Sequence, residues 1–130
     1  MADRAQNPVR RTLAAVALCG VALIHLLDLP GQLKETFYLG VLFIALIIAA
    51  LLAAELLARR GTPLRWAAAG TVAASPLIGY VLSRTTGLPD SNGDIGNWLE
   101  PLGLASLFVE GTLVLLVILA FTEPDTGTGS

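Results

Sequence analysis

His25 and Asp28 stand three residues apart in Ile24-His25-Leu26-Leu27-Asp28, and Glu110 stands alone in Leu107-Phe108-Val109-Glu110-Gly111. On a helix the first two share one face. An imidazole and a carboxylate so placed supply two metal ligands, or form a pair that relays a proton. Two ligands are not a site. A divalent metal ion here needs Glu110 as well, with Glu35 and Glu100 as possible additional oxygen ligands. The plainer alternative is a structural histidine bonded to an acid. His25 is the only histidine. That excludes bis-histidine haem ligation within one chain, and a di-metal carboxylate centre built on two His-containing motifs.

Glu110 is the sharper signal, because it interrupts the last apolar stretch. An ionisable side chain there costs about 2.5–3.5 kcal/mol on insertion scales, so it faces the interior of a bundle and takes a partner. At ~1.5 Å per residue it lies roughly 10–12 Å below the outer start of its helix. His25 lies at a comparable depth and Arg84 nearer the surface, and either would serve as that partner. A functional site and a polar clamp between helices explain Glu110 equally well. Glu55 is simpler: Arg59 follows at i+4 and makes a surface pair.

Arg84, Asp94, Asn97 and Trp98 form a second polar group, within the long segment from 84 to 101. A salt-bridged loop accounts for them, and recognition of an anionic ligand is the alternative. Tyr38 suits an aromatic belt at the membrane surface. There is no Gly-rich phosphate loop and no HExxH motif. An intramembrane enzyme using Glu110 or His25 as a base therefore ranks last among the functions considered.

These residues are carried by a chain that is 55% hydrophobic and 14% charged, with a mean hydropathy of +0.73 over 130 residues. A soluble domain of this size cannot hide so much apolar surface. Four stretches are long enough to span, at about 12–29, 37–58, 64–83 and 102–121. The predicted fold is all-α: a four-helix transmembrane bundle, up-down-up-down, with an ordered outer loop between helices three and four. Residues 1–11 and 122–130 are expected to be cytoplasmic tails, the second disordered. The first stretch follows Arg10 and Arg11, as a signal peptide would. It reads as a retained helix because no small-x-small cleavage site follows it.

Arg4, Arg10 and Arg11 precede helix one, and Arg59, Arg60 and Arg65 surround the second connection. Only Lys34 and Arg84 fall on the other side. The positive-inside rule then places both termini in the cytoplasm. The formal net charge of -2 and the lack of a basic stripe argue against nucleic acid as a partner. The expected partners are the lipid bilayer and a second copy or a larger membrane complex.

Local signals refine the elements. Pro30-Gly31 reads as a helix stop. Gly61 suits a C-terminal cap, and Thr62-Pro63 suits an N-cap followed by proline at the first helical position. Helix three is rich in small residues, and Pro76 within it predicts a kink near Val72. Cys19 is the only cysteine and reads as a small packing residue.

The pattern His25-Leu-Leu-Asp28, Glu35-Thr-Phe-Tyr38-Leu-Gly40, Ser83-Arg84-Thr85-Thr86-Gly87-Leu88-Pro89 and Asp94-Ile-Gly-Asn97-Trp98-Leu-Glu100-Pro101-Leu-Gly103 resembles a group of small, uncharacterised bacterial four-helix integral membrane proteins. The resemblance covers about residues 12–121, and the loop is its most specific part. It implies the fold and carries no activity, cofactor or catalytic residue.

The leading functional expectation is non-enzymatic. A polar site at the outer mouth (His25, Asp28, Glu35, Arg84, Asp94, Glu100 and Glu110) binds a metal ion or protons, for transport or as an accessory subunit. The alternative is a scaffold whose polar residues only form salt bridges.

Overall fold

A computed structural model describes residues 5–122. It contains four long helices: α1 (Pro8–Glu35), α2 (Phe37–Arg59), α3 (Pro63–Arg84) and α4 (Pro101–Thr122). Each is long and apolar enough to cross a bilayer, which marks a multi-pass membrane protein. Of the tails expected at 1–11 and 122–130, residues 1–4 and 123–130 lie outside the described residues, while Pro8–Arg11 form the first turn of α1, capped by the Asn7 side chain, and Thr122 ends α4.

The interior is built from single stripes at helical spacing. On α1 the stripe is Ala14, Leu18, Val21, Ala22 and His25. On α4 it is Gly103, Ser106, Glu110, Leu113, Leu116 and Ala120. His25 and Glu110 therefore continue apolar stripes into the bundle. Ala50, Ala53 and Ala54 dominate the inner face of α2, and Ala69 and Ala73 lie on that of α3 between larger side chains; such small residues let helices in lipid approach closely. Large side chains such as Leu23, Leu42, Leu52, Ile78, Phe108 and Ile118 point outward, where lipid tails solvate them as well as a core would.

Around the bundle the order is α2, α1, α4, α3. The α1–α2 contact is the most extensive, and α2 and α3 meet over a smaller area. That unevenness leaves room between α2 and α3 for the cavity described below.

Two local signals behave differently from expectation. Pro30-Gly31 does not stop α1, which runs on to Glu35. Proline is tolerated inside membrane helices because neighbouring structure compensates the lost bond. Here the extra turn packs onto α2: a Cβ on Gly40 would come within 3.0 Å of the Leu33 Cα. Thr36 alone connects the helices, in extended conformation, and its amide donates to the Gln32 carbonyl oxygen at 2.8 Å. Gly61 is not a left-handed cap either; the Arg60 amide ends α2 on the Leu56 carbonyl oxygen. Gly61 instead permits a close approach. Its amide donates to Gln6 Oε1 at 3.0 Å, and a Cβ would collide with the Ala5 backbone.

The α2–α3 connection is otherwise as the sequence predicts. Thr62 Oγ1 accepts from the Arg65 amide at 3.2 Å, and Pro63 opens α3. Arg11 and Arg65 cover the open carbonyls at the end of α2. Arg11 donates to Leu57 and Ala58, and Arg65 to Leu56, at 2.6–3.0 Å. Cations suit a helix C-terminus because its free carbonyls carry partial negative charge. Trp66, fully buried, donates its indole N–H to the Ala5 carbonyl oxygen at 2.7 Å. Cys19 is exposed on the outside of α1 and is not a packing residue.

Candidate functional site

The polar residues gather at the end of the bundle that carries the α3–α4 segment, in two groups. The first lies within the helices. Glu110 is fully buried, and one carboxylate oxygen, Oε2, accepts from Ser106 Oγ at 2.7 Å. Ser106 sits one turn earlier on the same face of α4, which is why the two meet. Oε2 also lies 3.9 Å from His25 Nε2, while Oε1 is buried without a hydrogen-bond partner.

His25 is held in place from two sides. Its Nδ1 lies 2.8 Å from the Val21 carbonyl oxygen. A carbonyl only accepts, so Nδ1 carries a hydrogen and Nε2 is the acceptor in the neutral ring. Phe43 of α2 meets the imidazole edge-on, with ring centroids 4.8 Å apart. The ring is thereby fixed with Nε2 towards Glu110.

The second group ties the α3–α4 segment down. Arg84, buried at the end of α3, donates from Nε to the Asn97 carbonyl oxygen at 2.9 Å and from Nη1 to Ser83 Oγ at 2.8 Å. Its guanidinium lies 3.6 Å from Asp94 and 3.9 Å from Glu100. Tyr80 stacks beneath it and donates its hydroxyl hydrogen to the Trp98 carbonyl oxygen at 2.8 Å. Glu100 also caps α4, accepting from the Leu102 and Gly103 amides at 3.2 and 2.6 Å. The segment further reaches α2, where the Tyr38 hydroxyl donates to the Pro89 carbonyl oxygen at 2.5 Å. The expected ordered loop is therefore a cap anchored on α2, α3 and α4.

Between the two groups opens a cavity of about 600 Å³, within the ordinary range for small-ligand sites. His25, Asp28, Gln32 and Glu35 of α1 line its polar end, with Arg84, Asp94, Glu100 and Ser106 opposite. Leu39, Leu42, Phe43 and Leu46 of α2 face Val72 and Pro76 of α3 below. The wall continues to Ala49, about 18 Å along α2 from Phe37 at ~1.5 Å per residue.

The expected set of His25, Asp28 and Glu110 is thus brought together in part. His25 and Glu110 meet. Asp28 lines the cavity one turn nearer its mouth, beside the like charges of Asp94 and Glu100. Among the described residues no three His, Cys, Asp or Glu side chains gather in a way that could hold a metal ion. Glu35 lines the mouth and Glu100 is taken up by capping. The Glu55–Arg59 pair is formed at 2.6 Å on the surface. Three participants went unnoticed in the sequence: Ser106, Gln32 and Tyr80. Ser106 was legible from its i−4 spacing to Glu110, and Gln32 from its i+4 spacing to Asp28. Tyr80 carried no such signal.

Comparison with known proteins finds no family model, no curated protein and no solved structure that matches the chain.

Proposed function

We propose that this is a non-enzymatic protein of a bacterial cytoplasmic membrane, with both termini in the cytoplasm, that binds and releases a proton at Glu110 and His25 beneath its outer mouth. The observation that carries this reading is the state of the Glu110 carboxyl. It is fully buried, only one of its oxygens has a hydrogen-bond donor, and a fixed imidazole acceptor stands 3.9 Å away. A carboxylate has room for about four hydrogen bonds, and a charge left short of partners in hydrocarbon is costly. A proton is the smallest ligand that removes the deficit. His25 lines the cavity and Glu110 does not, so the imidazole is the route by which the proton arrives. A metal-ion form of this reading requires Asp28 to swing in as a third ligand.

The purified full-length chain in lipid nanodiscs tests this, because its single histidine gives one imidazole signature. Proton binding predicts an infrared carbonyl band of a protonated carboxylic acid that shifts in D₂O and is lost in Glu110→Gln. It also predicts that Glu110→Gln moves the pH titration of the His25 ring nitrogens. If no such band exists at any pH and the His25 titration is unmoved, the pair is only a clamp. The metal form predicts stoichiometric binding of a first-row divalent ion that both His25→Ala and Glu110→Gln abolish.

A second reading, a scaffold with a salt-bridged plug, is supported by Arg84. That side chain engages the Asn97 backbone, Ser83, Asp94, Glu100 and the Tyr80 ring at once. It explains the capping segment, and it leaves the cavity below unexplained.

A further inference from the structure

The cavity between α2 and α3 is rich in acceptors at one end and hydrocarbon at the other. At the polar end His25 lines the wall, its side chain 8% exposed and its Nε2 turned to Glu110. Gln32 Oε1 is buried without a partner. Among the described residues, ion pairs reach Asp94 and Glu100 but neither Asp28 nor Glu35. Asp28 and Glu35 are seven residues apart on α1, on one face, and both line the cavity. Three acceptor side chains from one helix, Asp28, Gln32 and Glu35, thus face a space whose one lining cation among the described residues, Arg84, is already engaged by Asp94, Glu100, Ser83 and Asn97. A ligand head that fits must bring hydrogens and positive charge.

The rest of the cavity describes the remainder of that ligand. Its walls are Leu39, Leu42, Phe43, Leu46, Val72 and Pro76, which offer contact area and almost no hydrogen bonding. The exposure of Leu42, Ala45, Thr71 and Ser75 shows that the cavity opens sideways between α2 and α3. In a bilayer that opening faces lipid tails.

We infer that the cavity binds a small amphiphile with an ammonium head and an apolar body, entering sideways from the bilayer, its head held by Asp28, Glu35 and Gln32. This goes beyond the proton site and does not depend on it. An anionic head would meet two carboxylates that carry no ion pair among the described residues, Asp28 receiving only the Gln32 side chain, and a bare metal ion would leave the apolar half of the cavity unused.

The test uses three probes of one chain length (decylamine, decanol and decanoate), titrated calorimetrically into the full-length protein in phosphatidylcholine nanodiscs against empty discs. The inference predicts saturable binding of one decylamine per chain, roughly tenfold or more tighter than either other probe. It predicts that Asp28→Asn with Glu35→Gln removes that preference and leaves decanol unchanged. Ala45→Trp, which obstructs the side opening, weakens all three probes. Equal binding of amine and alcohol, tighter binding of decanoate, or no saturable binding of the amine above empty discs would each overturn it. If the double variant fails to fold, the ranking of the three probes on the wild type and on Ala45→Trp still decides. The Glu110 carbonyl band is read on the same samples. Amine binding absent with that band present sinks this inference alone, and the reverse sinks only the proton site.

Discussion

The Arg84 guanidinium lies 4.2 Å over the centre of the Tyr80 ring, and its Nε–H meets the Asn97 carbonyl oxygen at 2.9 Å. One side chain thereby joins the end of α3 to the segment that leads into α4. Lysine keeps the charge but has neither the planar fork nor the stacking surface. Arg84→Ala should cost about 1–3 kcal/mol of stability, and Arg84→Lys most of that. Both variants should accelerate amide hydrogen exchange over residues 85–100, with little change in α1. Unfolding in mixed micelles and exchange mass spectrometry measure the two effects.

Gly103 is where Tyr80 presses against α4. A Cβ there would stand 3.0 Å from the Tyr80 hydroxyl oxygen and 3.1 Å from its Cζ. Gly103→Ala should therefore displace the ring and destabilise by about 1–3 kcal/mol. Gly111, on the same helix, has open space where its Cβ would be. Gly111→Ala should be neutral or stabilise by up to about 1 kcal/mol through helix propensity. Equal effects at the two positions would contradict the packing.

Leu88 and Ser91 exchange two backbone hydrogen bonds around Pro89-Asp90, and Asp90 has φ 55°. Proline followed by a residue of positive φ is the pattern of a type II turn, which asks for glycine or asparagine at the second place. Asp90→Gly should hold or slightly raise stability. Asp90→Val should lower it by about 1–2 kcal/mol, with the loss confined to the capping segment in hydrogen exchange.

Among the described residues, Ser106 supplies the one hydrogen bond to the Glu110 carboxyl. Ser106→Ala should cost about 1–3 kcal/mol, because a buried acceptor loses its donor. In a Glu110→Leu background the same change should cost nearly nothing. The double-mutant cycle reads the difference, and additivity would mean that the two side chains do not act together.

Most of the architecture was open to reading because the bilayer imposes it. Four apolar stretches of spanning length can only be helices, and an acid such as Glu110 within one must turn inward. Depth left His25 and Arg84 both open as partners of Glu110, and packing brings His25 to it, at 3.9 Å. What the sequence hid depended on tertiary packing. Pro30-Gly31 looks like a stop until Leu33 finds the bare backbone of Gly40. Asp28 shares a face with His25, but spacing along α1 did not reveal that it lines the cavity apart from Glu110. Nor did any local pattern announce the cavity, which exists because α2 and α3 contact each other less than their other neighbours do.

The single-residue link at Thr36 has a mechanical consequence. With no slack between them, α1 and α2 behave as one stiff hairpin, unable to slide past each other by a turn. On its other flank the cavity is bounded by α3, which carries Pro76 in the cavity wall and is followed by the long segment to α4. The compliance is thus all on one side. Any swelling of the space between α2 and α3 has to be taken up by α3 leaning away from a fixed post, with the Arg84–Tyr80–Asn97 fastening as the strain-bearing joint.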